Sequence, residues 1–412
     1  MANTSQAKIV IIGGGFGGLF TAFDAAKHGE VTLISDHDHF LFKPLLYEYM
    51  SGEVEAWHIA PHFDELLDDN INFIHGSVTD VDFENNEIIV EGRDYRVPYD
   101  CLVLAVGGRT NYWNVSGAEQ NSFPFREIAH ADALRNRMIE TLDHIPAGSA
   151  PQDVRDTLTF AIVGGGASGV ELAAKMSDLL HDAVGRRALR GEPRILIIEM
   201  ADEVVPGMAE DIRRIVEKAL SEARVQTHLQ TKVVGVAPDG LTIEHNGVQS
   251  EIKTAATIWV AGVRVHSLIE RLNIEKTKNN LIIVEPTLRV KGQENVFAIG
   301  DACYYADVPP ILAGTAQLAN QQAKLLGNNI KAFVNGKDLS VGKFEELGEA
   351  LSLGTENAAV LAEGKSFGGT LARQARFALY TSRLPTWQHR LKVGASWFFE
   401  GTSPRPLQPL GF

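Results

Sequence analysis

The chain has 412 residues, more than one hydrophobic core normally contains, and at about 100–200 residues per domain this length predicts two or three domains. Its formal net charge of −14 argues against binding to nucleic acid, because phosphate groups would be repelled. The two cysteines, Cys101 and Cys303, form no Cys-x-x-Cys or Cys-x4-Cys pair, which argues against a redox disulfide, a disulfide scaffold and a thiolate zinc site.

The first predicted elements are a strand, a glycine-rich turn and a helix. In KIVIIGGGFGGLF, Gly13, Gly15 and Gly18 follow a β-branched strand, and a second strand, VTLIS, comes after the helix. In such a βαβ unit the first glycine permits a tight turn, the second lets the backbone approach a pyrophosphate, and the third packs helix on strand. This pattern predicts a dinucleotide site. The alternative is a glycine-rich turn in an unrelated α/β protein.

The second strand of this unit ends in Ser35, followed by Asp36. An acidic residue usually stands at the end of this strand, where its carboxylate accepts hydrogen bonds from a ribose. Either Asp36 reaches the ribose or the Ser35 hydroxyl binds it more weakly.

A second glycine loop, TFAIVGGGASGVEL, begins 151 residues after the first and contains Gly164, Gly166 and Gly169. The strand that follows, RILIIEM, ends in Glu199. A carboxylate there would bind the ribose 2′-hydroxyl and repel a 2′-phosphate, so the sequence predicts NADH in preference to NADPH. Met200, where an arginine could have bound a phosphate, supports the same choice.

Three further strands end in small residues, at 99–108, 257–263 and 295–304. The last ends in Gly300-Asp301, which alone is typical of a helix N-cap. In this order, the loops and strands resemble the two-dinucleotide-binding flavoproteins. That resemblance implies an α/β fold with two Rossmann-like domains, FAD on the first loop and near Asp301, and NADH on the second loop.

The absence of a paired cysteine excludes the glutathione-reductase-like branch, and Cys101 is expected to fill the core. The stretches HFLFKPLLYEYMSGEVEAWHIAP and TAQLANQQ resemble the type II NADH dehydrogenases, which are single-subunit, non-proton-pumping NADH:quinone oxidoreductases. The resemblance runs from Lys8 to about Trp397. Two stretches, EVEAWHIAPHFDELL and ELGEALSLGTENAAV…LPTWQHRLKVGASWF, resemble the demethylphylloquinone reductase branch, which reduces a naphthoquinone.

The resemblance gives roles to four residues. The AQxAxQ pattern places Gln317 and Gln321 four residues apart on one helical face, where their amides could orient a quinone carbonyl beside the flavin. Glu171 would lie near the nicotinamide–flavin contact, or it could serve only as an acid near a helix N-terminus. Lys43 is expected to approach the flavin or the quinone. The alternative for the two glutamines is a solvated or flavin-packing helix.

The expected cofactor-binding residues fall into two sets. For FAD they are Gly13, Gly15, Phe16, Gly17, Gly18, Ser35, Asp36, Lys43, Val78, Ala105, Gly107, Gly300, Asp301, Ala316 and Gln317, and for NADH they are Gly164, Gly166, Ala167, Gly169, Glu199 and Gly262. The predicted domains are an FAD-binding domain in two parts (1–150 and 276–335), an inserted NAD(P)H-binding domain (151–275) and a C-terminal membrane-association or dimerisation region (336–412).

The C-terminal region is basic. From Lys365 onward the formal charge is +6, against −20 for the rest of the chain. Two predicted amphipathic helices lie there, the first with Leu371 and Leu379 on one face and Arg373, Arg376 and Arg383 on the other. Such a pair with Trp387 and Phe398 indicates a peripheral membrane anchor. The alternative is a helical pair that packs on the protein body or on a second subunit of a homodimer.

No export signal and no apolar stretch of about 20 residues is recognised, so we expect a peripheral protein on the cytoplasmic face of a membrane. No metal is expected, because His37, His39, His58 and His62 lack a consistent ligand spacing. Two other functions stay open: an NAD(P)H-dependent reductase of a ferredoxin- or rubredoxin-like protein, and a flavin-based redox sensor or scaffold. Turnover with a quinone would distinguish an NADH:quinone oxidoreductase from both alternatives.

Overall fold

The computed structural model describes residues 6–362 and 364–408. The chain folds into two compact units, each assembled from three segments. Unit 1 contains the residues up to Phe42, Ala60–Arg109 and Val263–Glu346, and unit 2 contains Lys43–Ile59, Thr110–Gly262 and the residues from Leu347 onward.

The helices alternate with the strands over most of the chain. In chain order they are α1 (Phe16–Ala25), α2 (Leu46–Ser51), α3 (Ala56–Ile59), α4 (Phe63–Leu66), α5 (Ala118–Asn121), α6 (Ile128–Asp143), α7 (Pro151–Thr157), α8 (Ala167–Arg186), α9 (Glu210–Glu222), α10 (Ser267–Arg271), α11 (Ala316–Val334), α12 (Thr370–Arg383) and α13 (Trp387–Glu400). Short 3₁₀ turns cover Lys43–Leu45, Gly300–Ala302 and Pro310–Leu312.

The strands are short, as expected for sheets with frequent crossovers. They are β1 (Lys8–Ile12), β2 (Glu30–Ser35), β3 (Ile71–His75), β4 (Val78–Asp82), β5 (Glu87–Val90), β6 (Arg96–Pro98), β7 (Cys101–Leu104), β8 (Gly108–Thr110), β9 (Ser122–Pro124), β10 (Thr159–Val163), β11 (Arg194–Ile198), β12 (Gln226–His228), β13 (Thr231–Ala237), β14 (Gly240–His245), β15 (Val248–Lys253), β16 (Ala256–Trp259), β17 (Val263–Val265), β18 (Ile282–Ile283), β19 (Val296–Ala298), β20 (Cys303–Tyr304), β21 (Glu349–Ser352), β22 (Ala358–Ala362) and β23 (Lys365–Gly368).

Unit 1 is built on a parallel sheet with strand order β19-β7-β1-β2-β3. Its strands are continuously apolar because a parallel sheet is covered on both faces. Helix α1 crosses from β1 to β2 and packs against α11, where Gly327 leaves room for Asp24. An antiparallel meander, β4-β5-β6, completes this part of the unit.

Unit 2 repeats the same arrangement with strand order β12-β11-β10-β16-β9, again all parallel. Helix α8 crosses from β10 to β11 and is mostly buried. Two antiparallel sheets, β13-β14-β15 and β21-β22-β23, belong to the same unit, together with α12 and α13.

The two parallel sheets have matching registers at the point where each glycine loop begins. Ile12 pairs with Ile34 in unit 1, and Val163 pairs with Ile198 in unit 2. The following glycine amide then donates to the carbonyl of the neighbouring strand, at 2.8 Å from Gly13 N to Ile34 O and at 2.9 Å in the second unit. The equivalent hydrogen bonds make the two loops directly comparable.

The predicted fold class is confirmed: two Rossmann-like domains and a C-terminal helical segment are present. The structural units change at residues 42/43, 59/60, 109/110, 262/263 and 346/347. The domain limits predicted from the sequence, at residues 150, 275 and 335, divide the chain by the ligand that each segment is expected to bind. That division stays a prediction. Over the described residues, each helix is too short or too polar to cross a bilayer.

Candidate functional site

The first glycine loop lies at the carboxyl end of β1. Gly13 has a φ of 108°, and a Cβ atom placed on it would lie 2.3 Å from the carbonyl oxygen of Ala105. A Cβ on Gly18 would lie 1.8 Å from the carbonyl oxygen of Gly13, so this residue brings α1 against β1. In contrast, a Cβ on Gly15 has no described atom within 4 Å. The backbone at Gly15 therefore faces open space at the start of a helix.

The second glycine loop reproduces this geometry at the carboxyl end of β10. Gly164 has a φ of 112° and touches the backbone of Ala261, 3.1 Å from a Cβ placed on the glycine. A Cβ on Gly169 would lie 1.9 Å from the carbonyl oxygen of Gly164. Gly166 again faces space that holds no described atom within 4 Å.

Other predicted FAD residues also belong to unit 1. Phe16 is buried in an aromatic group with Phe40 and Phe42, and Gly17 lies against Ile299. Val78, at the start of β4, is buried, and Gly107 follows β7 with a φ of 64°. In unit 2, Ala167 is the first residue of α8, directly after the open loop.

The two loops differ at the end of the next strand. In unit 2, Glu199 accepts hydrogen bonds from the backbone amides of Gly165 and Ala201. Its carboxylate is therefore fixed beside the glycine loop, and each oxygen retains a lone pair for a ribose hydroxyl. In unit 1, Ser35 occupies the same place, and its hydroxyl accepts a hydrogen bond from the His37 amide at 3.2 Å.

Asp36, the other predicted ribose ligand, is exposed and bonds to its neighbour. Its carboxylate contacts the His37 ring at 2.9 Å, and this hydrogen bond lowers the pKa of Asp36. His37, His39 and His62 lie close together in the same loops. In the portion of the chain that the structure describes, no His, Cys, Asp or Glu group is arranged to hold a metal ion.

The Gly300–Asp301 turn is fixed by a glutamine that sequence reasoning passed over. Gln322 is fully buried, and its side-chain oxygen accepts a 2.7 Å hydrogen bond from the Gly300 amide. Gln322 is the third glutamine of TAQLANQQ, and its presence there was the feature of the sequence that could have predicted this contact. Cys303 follows the turn, and burial raises the pKa of its thiol to about 12, so it remains a protonated thiol.

Helix α11 begins at Ala316, and Gln317 is half-buried in its first turn. Gln321 is one turn further along, and its amide is engaged by the backbone of Glu345. The side chain donates to the Glu345 carbonyl at 2.8 Å and accepts from the Glu345 amide at 3.0 Å. Gln321 therefore fixes the segment that follows α11.

Glu171 lies on α8 and is buried. Its carboxylate accepts hydrogen bonds from the Ser352 amide at 2.8 Å and from the Arg376 guanidinium at 3.0 Å. Arg376 also binds Glu48 at 2.7 Å, so a single arginine joins two buried carboxylates. Burial raises the pKa of Glu171 to about 7. Burial also disfavours the charge on Glu48, but Arg376 and Lys175 outweigh that effect and lower its pKa to about 2.

A third buried acid, Glu53, extends this cluster. It pairs with Lys175 of α8 and with Arg373 of α12, the latter at 3.0 Å, and accepts a hydrogen bond from Ser51. We call Glu48, Glu53, Glu171, Lys175, Arg373 and Arg376 the buried ion cluster. All six belong to unit 2.

The segment around α2 supplies part of this cluster, although the sequence singled out only Lys43 there. Lys43 is exposed, at the start of the 3₁₀ turn before α2. Tyr47 is buried, stacks on Phe125 with ring centroids 5.4 Å apart, and has its pKa raised by burial. The sequence of this segment gave no sign of which of its polar residues are buried.

The first C-terminal helix has the two predicted faces, but two of its three arginines turn toward the protein interior. Arg376 is only 2% exposed and Arg373 is half-buried, because both turn inward to the buried carboxylates. Leu371, on the opposite face, is 74% exposed. Helical periodicity defines the two faces of α12, but it cannot show which one has partners inside the protein.

Helix α13 also turns polar residues inward. His389 donates through its Nε2 to the His58 carbonyl at 2.9 Å, and the His58 ring contacts Ser396 at 3.1 Å. Burial lowers the pKa of His58 to about 4, so this ring is neutral at ordinary pH. The outward face of the two helices, here called the outer apolar face, consists of Leu371, Leu379, Trp387, Leu391, Phe398 and Phe399.

The loops fit two dinucleotides. Gly15 and Gly166 each stand directly before a helix N-terminus, and a Cβ placed on either would meet no described atom within 4 Å. Open backbone at the start of a helix is the arrangement that binds a pyrophosphate. Beside the second loop, two backbone amides fix the Glu199 carboxylate where it could bind a ribose. The fold and these two loops define a flavin- and nicotinamide-dependent oxidoreductase of the two-dinucleotide-binding class.

Comparison with known proteins leads to the same class of protein. A family model described as pyridine nucleotide-disulphide oxidoreductase matches residues 7–323. The demethylphylloquinone reductase NdbB of Synechocystis sp. is 33% identical over 95% of this chain and 96% of its own. The type II NADH:quinone oxidoreductase Ndh of Mycobacterium tuberculosis is 30% identical over 80% of this chain and 73% of its own.

A solved structure of NDH2 from Plasmodium falciparum in complex with NADH has a TM-score of 0.86 at 20% identity. It covers 98% of this chain and 100% of that chain, and at this identity it supports the fold alone. The chain belongs to the pyridine nucleotide-disulphide oxidoreductase family and, within it, to the type II NADH dehydrogenases. The predicted family is therefore confirmed, as are an enzyme of the oxidoreductase class and the cofactors FAD and NADH.

Proposed function

We propose that the protein is an FAD-dependent oxidoreductase that oxidises NADH and reduces a quinone, without pumping protons. Membership of the family carries this proposal, because the relatives at 30–33% identity are named for quinone or phylloquinone reduction. FAD, when bound, supplies the carrier chemistry between a two-electron donor and the quinone. The chain itself supplies binding, orientation and electrostatics.

Unit 2 binds NADH in this proposal. The amides at the start of α8 take the pyrophosphate, and the Glu199 carboxylate accepts hydrogen bonds from the ribose. The same carboxylate repels a 2′-phosphate, which makes NADPH the poorer donor. The cofactor residues Gly164, Gly166, Ala167, Gly169 and Gly262 belong to this unit.

Unit 1 binds FAD. The first loop takes the pyrophosphate at Gly15, and the turn at Asp301, fixed by Gln322, contributes a carboxylate. Ser35 is the weaker ribose ligand of the two possibilities, because a neutral hydroxyl forms a weaker hydrogen bond to a ribose than a carboxylate does. We therefore propose that Asp36 contributes to ribose binding as well.

We propose two different roles for the glutamines of α11. Gln317 orients the quinone carbonyl through its amide, which donates without changing charge. Gln321 acts indirectly, since its amide holds the Glu345 backbone. Glu171, with a pKa of about 7, can hold or release a proton near neutral pH. Lys43 is the remaining proposed contact to flavin or quinone.

We propose that the outer apolar face lies on a membrane. Each of its large side chains is at least 40% exposed, and exposed Arg383 and Lys392 supply positive charge beside it. Apolar residues beside basic ones are typical of helices that lie in the interface of a bilayer with anionic lipids. The protein would then be peripheral, on the cytoplasmic side. The alternative is that a second copy of the chain covers the same face in a homodimer.

Co-sedimentation with vesicles distinguishes membrane binding from dimer formation. Binding to vesicles of anionic lipid, lost in a Leu391→Glu, Phe398→Glu variant that keeps its FAD, supports the membrane. A concentration-dependent dimer that the same variant abolishes, without vesicle binding, supports a second copy. Substitution of Val248, an exposed apolar residue on β15, serves as the control.

The substrate class follows from the relative named for demethylphylloquinone, which suggests a naphthoquinone. The test is steady-state NADH oxidation by FAD-loaded protein with a soluble naphthoquinone and with a matched benzoquinone. Fast turnover with the naphthoquinone supports the proposal. Normal flavin reduction by NADH without reoxidation by either quinone would replace it with the protein-acceptor or sensor function.

A further inference from the structure

A short loop of unit 2 is fastened to the turn after β16. The Asn111 amide donates to the Gly262 carbonyl at 3.2 Å, and the Trp259 indole donates to the Asn111 carbonyl at 2.9 Å. The Trp113 indole N–H donates to the Ala261 carbonyl at 3.1 Å. These three hydrogen bonds fix the loop on the carboxyl edge of the parallel sheet.

Trp113 has an unfavourable backbone and an exposed ring. Its φ is 52°, and that of Asn114 is 56°, a region that a bulky residue such as tryptophan rarely adopts. Its amide donates to the Asn111 side chain at 3.0 Å, which helps to hold this conformation. Even so, 63% of the residue is exposed. Strained residues with fixed, exposed side chains concentrate where proteins contact ligands.

The position of Trp113 relative to the second glycine loop is defined. The indole covers Gly262, where a Cβ would lie 2.7 Å from the indole nitrogen. The adjacent Ala261 backbone touches Gly164 of the loop. Glu199 lies on the other side of β10, because the strand order is β11-β10-β16. A dinucleotide with its adenosine ribose on Glu199 and its pyrophosphate on the loop therefore extends its nicotinamide half toward β16.

We infer that Trp113 is a positioning residue for the nicotinamide half of NADH. Its ring offers a rigid aromatic surface at that end of the site, suited to a planar heterocycle and its ribose. This inference rests on the proposed binding of NADH by unit 2 and does not depend on which quinone is reduced.

The test is calorimetric titration of FAD-loaded protein with NAD⁺ and, separately, with ADP-ribose, which lacks the nicotinamide. In Trp113→Ala we expect the Kd for NAD⁺ to rise about fivefold or more, as for loss of an aromatic contact, and the Kd for ADP-ribose to stay unchanged. Trp113→Phe, which retains a ring but not the indole N–H, should show a smaller rise. Trp57→Ala, at another half-exposed tryptophan of unit 2, is the control.

An equal rise for both ligands would overturn the inference, because Trp113 would then only support the turn at Ala261. Unchanged binding of both would overturn it as well. If the parent protein with its full FAD content binds neither ligand, binding of NADH by unit 2 fails, and the role of Trp113 fails with it.

Discussion

The two glycine loops share a framework, and three differences around them bear on their ligands. Positions on α1 and α8 correspond with an offset of 151 residues, and the loops have the same strand register and the same contact at the third glycine. The strand-end acid is present in unit 2 as Glu199 and is replaced by Ser35 in unit 1. Backbone geometry thus makes both loops dinucleotide sites, and the side chains around them set the ligand.

The other two differences lie further along each unit. Gly107, after β7, has open space where the equivalent Gly262 is covered by Trp113. On the helix, Phe20 of α1 takes part in aromatic contacts, whereas the equivalent Glu171 of α8 belongs to the buried ion cluster. Unit 2 therefore joins its nucleotide loop to α2 and α12 through charged groups, and unit 1 packs the same helix face through apolar ones.

Replacing the third glycine should have the largest effect on ligand binding and should separate the two loops. In Gly18→Ala or Gly169→Ala, the new methyl would clash with a backbone carbonyl, at a cost of about 3 kcal/mol or more. We expect Gly18→Ala to lose FAD, measured by flavin absorbance. Gly169→Ala should keep FAD and lose NADH binding, measured by titration.

Gly185→Ala is the matched control, because it lies in α8 where a Cβ has no described neighbour within 4 Å. It should keep both ligands and gain about 0.5–1 kcal/mol in helix stability. Loss of FAD in Gly169→Ala with retention in Gly18→Ala would reverse the assignment of the two loops.

Breaking the buried ion cluster should destabilise unit 2. Arg376→Gln leaves Glu48 and Glu171 without their shared cation, and loss of one partner of a buried pair costs about 3–5 kcal/mol. Urea unfolding of the FAD-loaded protein measures the change. Arg383→Gln, on the same helix but exposed, should stay within about 0.5 kcal/mol of the parent. Equal effects of the two substitutions would show that the cluster does not stabilise the fold.

The acid that distinguishes the loops should control the choice of donor. In Glu199→Ala we expect the preference for NADH over NADPH, as a ratio of kcat/KM values, to fall by about 10–100-fold. The reason is loss of a charged acceptor for the ribose and of the repulsion toward a phosphate. Ser35→Ala should leave this ratio unchanged, so a fall in both variants would remove the distinction between the two strand ends.

The pH dependence of stability should differ between parent and Glu171→Gln. Because the folded pKa of Glu171 is about 7 against an ordinary value of 4.5, the folded protein binds more protons than the unfolded chain between these pH values. The contribution of Glu171 to the free energy of unfolding therefore falls as pH rises through this window, by about 1–3 kcal/mol. Glu48 contributes the opposite slope, but only below pH 4.5.

Urea unfolding at pH 5 and pH 8 measures this difference. The Glu171→Gln variant should lose less stability over that interval than the parent. Parallel pH profiles for the two proteins would contradict a raised pKa at Glu171.

The smallest expected effect separates Gln317 from Gln321. Gln321→Ala removes two hydrogen bonds to the Glu345 backbone, worth about 1–2 kcal/mol together. Hydrogen exchange at the Glu345 backbone amide should therefore become faster. Gln317→Ala should raise the KM for quinone and leave this exchange unchanged. Faster exchange in both variants would show that they act through the same segment.

The sequence was sufficient to predict the two loops, the strand-end acid and the fold, because glycine spacing and β-branched strands reflect local backbone requirements. It could not predict the buried ion cluster. Glu48, Glu171 and Arg376 are far apart in sequence and meet only through tertiary packing. The inward turn of Arg373 and Arg376 has the same cause, and so does the contact of Gln322 with Gly300.

The most direct test of the account follows the flavin absorbance of the FAD-loaded protein under anaerobic conditions. NADH is added in stoichiometric amount, and a soluble naphthoquinone is added next. We predict that NADH bleaches the flavin band in the parent protein and in Gln317→Ala, but not in Gly169→Ala. Quinone should then restore the band rapidly only in the parent protein. A flavin that NADH bleaches normally in Gly169→Ala, or that quinone does not reoxidise in the parent, would contradict the assignment of two separate sites to two half-reactions.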